Sequence, residues 1–131
     1  MKSRPPLVIK MTYVGAWDAD VVLIIGAFNL LRPWVVKNVL NERKDELLKH
    51  LDDKELAPDA HNYGRTFNLA GGGSLIWLSE YRPTIFVHEA MHAVQHMLTS
   101  KATPLSEDTA EAYGYLMQHL YKSLAPNRKG A

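Results

Sequence analysis

Between Pro83 and about Leu98 the chain reads as one apolar helix that carries two histidines and a glutamate in its middle. Phe86, Val87, Ala90, Met91, Val94 and Met97 surround His88, Glu89 and His92 at helical spacing. Thr103-Pro104 then breaks the chain, and Ser106 is a good N-cap with Glu107 and Asp108 in the turn behind it. Ala110, Tyr113, Met117, Leu120 and Leu124 form a second apolar stripe that runs to about Leu124. So short a connection makes two helices pack antiparallel. The C-terminal half is therefore expected to be a helical hairpin whose first arm holds polar groups that need partners if buried.

The N-terminal half carries the strand signals. Leu7 to Val14 alternates apolar and polar residues and reads as a strand. Val21 to Phe28 stays open between two readings: its β-branched run favours a buried strand, while Asp20 would cap a helix. Pro33 suits a first helical position, and the stripe Val36, Leu40, Leu47 and Leu51 predicts one amphipathic helix to about Leu51. Residues 52–62 are polar and read as a loop. Tyr63 to Leu69 and Leu75 to Ser79 read as short strands around Gly71, Gly72 and Gly73; no Lys-Ser/Thr pair follows, so the glycines predict a flexible hairpin rather than a phosphate loop. The tail from Pro126 to Ala131 is expected to fray.

No repeat or low-complexity linker divides the 131 residues, which suffice for one core. The expected class is α+β: a single domain over 1–131, with a small sheet packed on the histidine-bearing helix and an antiparallel, glutamate-bearing helix after it. Fifteen Lys and Arg against fourteen Asp and Glu leave a net charge of +1, too balanced for a protein built around phosphate neutralisation. The absence of cysteine excludes a disulfide scaffold, a cysteine zinc ribbon, a thiol nucleophile and a Cys-ligated iron–sulfur cluster. The longest apolar run, from Val21 to Leu31, is about 11 residues and falls short of the roughly 20 that span a bilayer. Pro5, Pro6 and Lys10 break any signal-peptide core, so the expectation is a mature, cytoplasmic chain.

The chemistry lies in His88-Glu89-Ala90-Met91-His92. Residues four apart on a helix differ by about 40° and about 6 Å, so both imidazoles can turn to one metal ion. Glu89 points about 100° away and can reach a water at that metal, which is the HExxH arrangement of zinc hydrolases. Such sites need a third protein ligand and an open fourth position. His96 lies about 12 Å along the axis from His88, too far to join it on one straight helix, and is placed at the rim or surroundings of the cleft or at the surface. Gln95 and Leu98 stand where the HExxHxxGxxH pattern requires glycine and histidine. On the next helix Glu111 comes closest to the level of the histidines in an antiparallel hairpin, while Glu107 and Asp108 suit the helix N-terminus.

His88-Glu89-x-x-His92, then eighteen residues, then Glu111 resembles a gluzincin, with the spacing of the aminopeptidase N group and close to that of thermolysin. Ala110-Glu111-Ala112 resembles the segment that carries the third ligand there, and Glu-Ala-Tyr after the motif resembles minimal gluzincins and small phage-encoded metallopeptidases. The resemblance covers roughly residues 75–124. It implies a minimal zincin-like domain, one zinc per chain bound by His88, His92 and Glu111, Glu89 as catalytic base, and a protein or peptide substrate. No Gly-x-Met-Glu-Asn motif occurs, so aminopeptidase activity is not implied, and Tyr115 stands where thermolysin has an aspartate that orients a ligand histidine.

The expected reaction is peptide-bond hydrolysis, with Tyr115 as first candidate for the oxyanion donor, followed by Tyr113 and His96. Residues 75–79 take the place of the substrate-binding edge strand of zincins, which would pair with an extended peptide. Three other readings compete: a structural or regulatory zinc domain without turnover, a DNA-associated protease of the SprT kind, and a metal-free helical-hairpin interaction module.

Overall fold

A computed structural model of the chain describes residues 6–52, 63–101, 107 and 109–126. The architecture is α+β, a four-stranded mixed sheet packed against two C-terminal helices. Strand β1 (Val8–Val14) turns through Gly15–Trp17 into β2 (Ala19–Ile25), and the two pair antiparallel from Val8↔Ile25 to Val14↔Ala19. Helices α1 (Leu31–Asn38) and α2 (Asn41–Asp52) follow. Strands β3 (Gly64–Asn68) and β4 (Ser74–Leu78) come next, then helices α3 (Pro83–Ser100) and α4 (Ala110–Leu124). β2 and β4 run parallel, β3 pairs antiparallel with β4, and the order across the sheet is β1-β2-β4-β3.

Helices pack on both faces of the sheet over β2 and β4. Val21, Leu23, Ile76 and Leu78 pack against Phe86, Ala90, Val94 and Met97 of α3 and Leu116 and Leu120 of α4. Ile24, Leu75, Trp77 and Phe67 pack the other way, on Leu31, Val35 and Leu47 of α1 and α2. Each fully buried Leu, Ile or Phe contributes roughly 1.5–3 kcal/mol. β4 is buried at all five positions, which is why its sequence is apolar from Leu75 to Leu78 after the buried Ser74. The Trp77 indole meets the need for a polar partner by donating to the Gly26 carbonyl at 2.9 Å.

Several elements differ from the sequence expectation. Val21 to Phe28 resolves as strand over Ala19–Ile25, its β-branched residues outweighing the cap at Asp20. The single helix expected up to about Leu51 is two. Val39 adopts extended backbone (φ −99°, ψ 140°) and packs into the core beneath α1 and α2, while Asn38 Nδ2 donates to the Trp34 carbonyl and closes α1. Leu31 and Val35 therefore face inward, and the expected core residues Val36 and Leu40 are exposed. The polar loop expected over 52–62 lies outside the described residues beyond Asp52, as do Ser106 and Asp108. α4 begins at Ala110, so Glu107 sits in a turn before it and Glu111 falls in the first helical turn rather than mid-helix.

The β3–β4 connection is tight. Leu69 N–H donates to the Gly73 carbonyl at 2.9 Å. Gly72 takes φ +95°, a backbone conformation that favours glycine, and a Cβ there would lie 2.5 Å from Ser100 Oγ unless that hydroxyl turned away. The α3–α4 hairpin is antiparallel: Tyr113 meets Met91, and Tyr121 meets Phe86 one step further from the turn. No helix among the described residues is long and apolar enough to cross a membrane.

Candidate metal centre

α3 buries Phe86, Glu89, Ala90, Ala93, Val94 and Met97, and its flank brings His88 and His92 to the surface one turn apart. Their Nε2 atoms stand 3.3 Å apart, with the rings nearly perpendicular at 82°. That distance is long for a hydrogen bond. Two nitrogens each about 2.05 Å from one tetrahedral centre stand about 3.3 Å apart. The pair thus has the spacing of a zinc chelate, and the donor type suits that ion.

Glu89 points inward, 8% exposed, where an unpartnered carboxylate would be costly. Thr66 on β3 supplies the partner. Its hydroxyl lies 2.8 Å from Glu89 Oε1 and 2.9 Å from the Glu89 backbone oxygen. The other carboxylate oxygen, Oε2, lies 3.9 Å from His88 Nε2. Gly64, on the same face of β3 as Thr66, permits the close approach. A Cβ there would lie 2.9 Å from both Ile85 Cγ2 and Leu78 Cδ2, and 3.3 Å from Glu89 Cγ. Gly64, Arg65, Thr66 and Asn68 of β3 and His88, Glu89 and His92 of α3 line an open cleft of about 360 Å³.

The remaining sequence candidates stand elsewhere. His96 is half-buried and its Nε2 lies 2.7 Å from the Leu69 carbonyl; because a carbonyl only accepts, that nitrogen carries the proton. His96 therefore ties α3 to the end of β3. Tyr113 donates its hydroxyl to the Met91 carbonyl at 3.3 Å, and burial raises its pKa above the usual value for tyrosine. Tyr115 is 66% exposed. Glu111 is exposed too, two turns before Gln118, a residue that lines the groove between α3 and α4. Among the described residues no set of three His, Cys, Asp or Glu has the geometry to hold a metal ion, so the fit to zinc stops at the two imidazoles, and Glu111 is not brought to them.

One expectation is corrected outright. Leu75 to Ser79 was expected at the sheet edge, but β4 is internal, paired with β2 on one side and β3 on the other. The edge that borders the cleft is β3, whose side away from β4 has no strand partner among the described residues. Thr66 and Gly64, the residues that fit Glu89 into place, were not singled out by the sequence reading, because nothing local links them to a helix more than twenty positions later.

No family model, no curated protein and no solved structure matches the chain.

Proposed function

We propose that the protein is a zinc-dependent peptide hydrolase with a minimal zincin-like fold, in which His88 and His92 hold one metal ion, Glu111 is the candidate third ligand and would have to turn in from its exposed position on α4, and Glu89 is the general base. The observation that carries this reading is the 3.3 Å separation of the His88 and His92 Nε2 atoms, at the mouth of a cleft that also contains the Glu89 carboxylate. A zinc ion held there supplies Lewis acidity towards a peptide carbonyl and lowers the pKa of water towards neutrality.

The chain's own groups account for the rest of the chemistry. Thr66 fixes Glu89 through Oε1, which leaves Oε2 on the histidine side to take a proton from water and return it to the leaving amine. The edge of β3 offers backbone N–H and C=O groups to an extended peptide, which would hold the scissile bond alongside α3. Tyr115 is the candidate donor to the developing oxyanion, and its exposure leaves its hydroxyl accessible.

A second reading, a metal-binding domain without turnover, draws support from the exposure of Glu111. The open cleft weighs against it, as does the engagement of His96 with Leu69, since a closed structural site needs a fourth protein ligand. Zinc content measured with a broad peptide-cleavage screen, wild type beside Glu89→Gln, separates the two. Zinc with cleavage supports the hydrolase, zinc with no cleavage by either protein supports the inert domain, and no zinc removes both.

A further inference from the structure

The strand that borders the cleft carries a charge that the hydrolytic chemistry does not use. Arg65 lies in β3 between Gly64 and Thr66 and belongs to the cleft lining. The sheet register sets the direction of its side chain. Thr66 pairs with Ile76, which packs on α3, whereas Arg65 pairs with Trp77, which packs towards α1 and α2. Successive residues of a strand point to opposite faces, so Arg65 stands on the face away from Glu89. Its Nε is buried there without a hydrogen-bond partner, and none of the ion pairs among the described residues includes it. A buried donor without an acceptor is costly, and an incoming carboxylate would supply one. Phe67, the next residue along that face, is met by the ring of His50 at 6.1 Å, so a second basic side chain stands nearby.

The hydrogen-bond phase of β3 shows which main-chain groups are open. Ser79 N–H donates to the Tyr63 carbonyl and Leu69 N–H to the Gly73 carbonyl, both at 2.9 Å. Bonded positions alternate along an antiparallel pair, so Arg65 and Phe67 also turn their main-chain groups to β4. Those of Gly64, Thr66 and Asn68 point to the open side. A peptide that adds to this edge bonds to these three residues and meets Arg65 at a non-bonded position. Opposing Cα atoms there are only about 4.5 Å apart, and side chains on the same face approach most closely. We infer that Arg65 selects peptides with an aspartate or glutamate at the position opposite it. The extended chain pairs antiparallel with β3. One of its residues lies opposite Thr66 on the α3 face, and the next residue towards its C-terminus sets a carboxylate on the Arg65 guanidinium, whose planar fork matches that group. The inference rests on the peptide-hydrolase reading and narrows its substrate class to peptides with an acidic residue beside the scissile bond.

Peptide binding in the absence of zinc tests it, because pairing along β3 needs neither metal nor turnover. End-capped, fluorescein-labelled peptides of alternating serine and valine, each with a single glutamate, glutamine or lysine in the middle, are titrated by fluorescence anisotropy. The wild type should bind the glutamate peptide roughly tenfold more tightly than the glutamine peptide, and the gap should narrow at high salt. Arg65→Gln should erase the gap. Arg65→Glu should reverse it in favour of lysine, a result that an unfolded variant could not give. Equal binding of the three peptides by the wild type, or binding of none, overturns the inference, as does a glutamate preference that survives in Arg65→Glu. Cleavage assays on the zinc-loaded protein separate this inference from the reading beneath it. Hydrolysis without any charge preference in binding keeps the hydrolase and removes the role of Arg65. A glutamate preference that follows Arg65, without hydrolysis, keeps the acidic site and removes the hydrolase.

Discussion

The Thr66 hydroxyl stands 2.8 Å from Oε1 and 2.9 Å from the backbone oxygen of Glu89, so one side chain of the edge strand holds both the carboxylate and the main chain of the same helical residue. One hydroxyl proton is shared between two acceptors, and the carboxylate is fixed relative to β3 as well as to α3.

Thr66→Val should lower turnover roughly tenfold or more through misplacement of the base, and lower stability by about 1–3 kcal/mol because a buried carboxylate loses its donor. Thr66→Ser should restore both. Steady-state kinetics and urea melts on the two variants check this, and a serine variant as impaired as the valine one would show that the methyl group matters rather than the hydroxyl.

Glu89→Gln keeps the shape of the side chain and removes the base. Hydrolysis should fall by about 10²–10⁴-fold while zinc stoichiometry stays at wild-type level. Retained turnover, measured on any peptide the wild type cleaves, would remove Glu89 from the mechanism.

His92→Ala should weaken zinc by more than about 100-fold, since loss of even an outer partner of a ligand weakens a metal by about 10–100-fold. Glu111→Ala should weaken it substantially as well. Competition titrations with a chelator measure both, and an unchanged affinity in the Glu111 variant would take that residue out of the ligand set.

Gly64→Ala places a methyl group 2.9 Å from Ile85 Cγ2 and Leu78 Cδ2. Overpacking of this kind costs about 1–3 kcal/mol, and the displaced neighbours include Glu89, so stability and turnover should fall together. Thermal melts beside activity assays would reveal a melt unchanged from wild type if the strand can simply move outward.

Tyr13 donates its hydroxyl to Asp18 Oδ1 at 2.6 Å, and that bond, with a smaller effect from burial, raises the phenol above its ordinary pKa. A raised folded-state pKa means that the stabilisation is fully present below the unfolded value near 10 and fades as pH rises through the folded one. The melting-temperature gap between wild type and Tyr13→Phe should therefore be constant at neutral pH and shrink above about pH 10. A gap that widens there would reverse the sign of the coupling.

What the sequence disclosed follows the range over which each interaction acts. The histidine pair, the β3–β4 hairpin and the long α3 were legible because spacing within a few residues determines them. The end of α1 was not, because Val39 leaves the helix to reach a core assembled from distant strands. The expected edge strand was misplaced for a similar reason: whether β4 or β3 lies outermost depends on β2 pairing with β4 across the intervening helices. The start of α4 at Ala110 changed the setting of Glu111, since a carboxylate in a first turn already has favourable electrostatics without a metal.

His88 and His92 meet whenever α3 is helical, a condition local to four residues. Glu89 is aligned only after β3 has docked, through a hydroxyl 23 positions earlier in the chain. On the proposed reading, the imidazole pair forms before the base is aligned, and detachment of the outer strand would abolish hydrolysis while leaving the spacing of the two imidazoles intact.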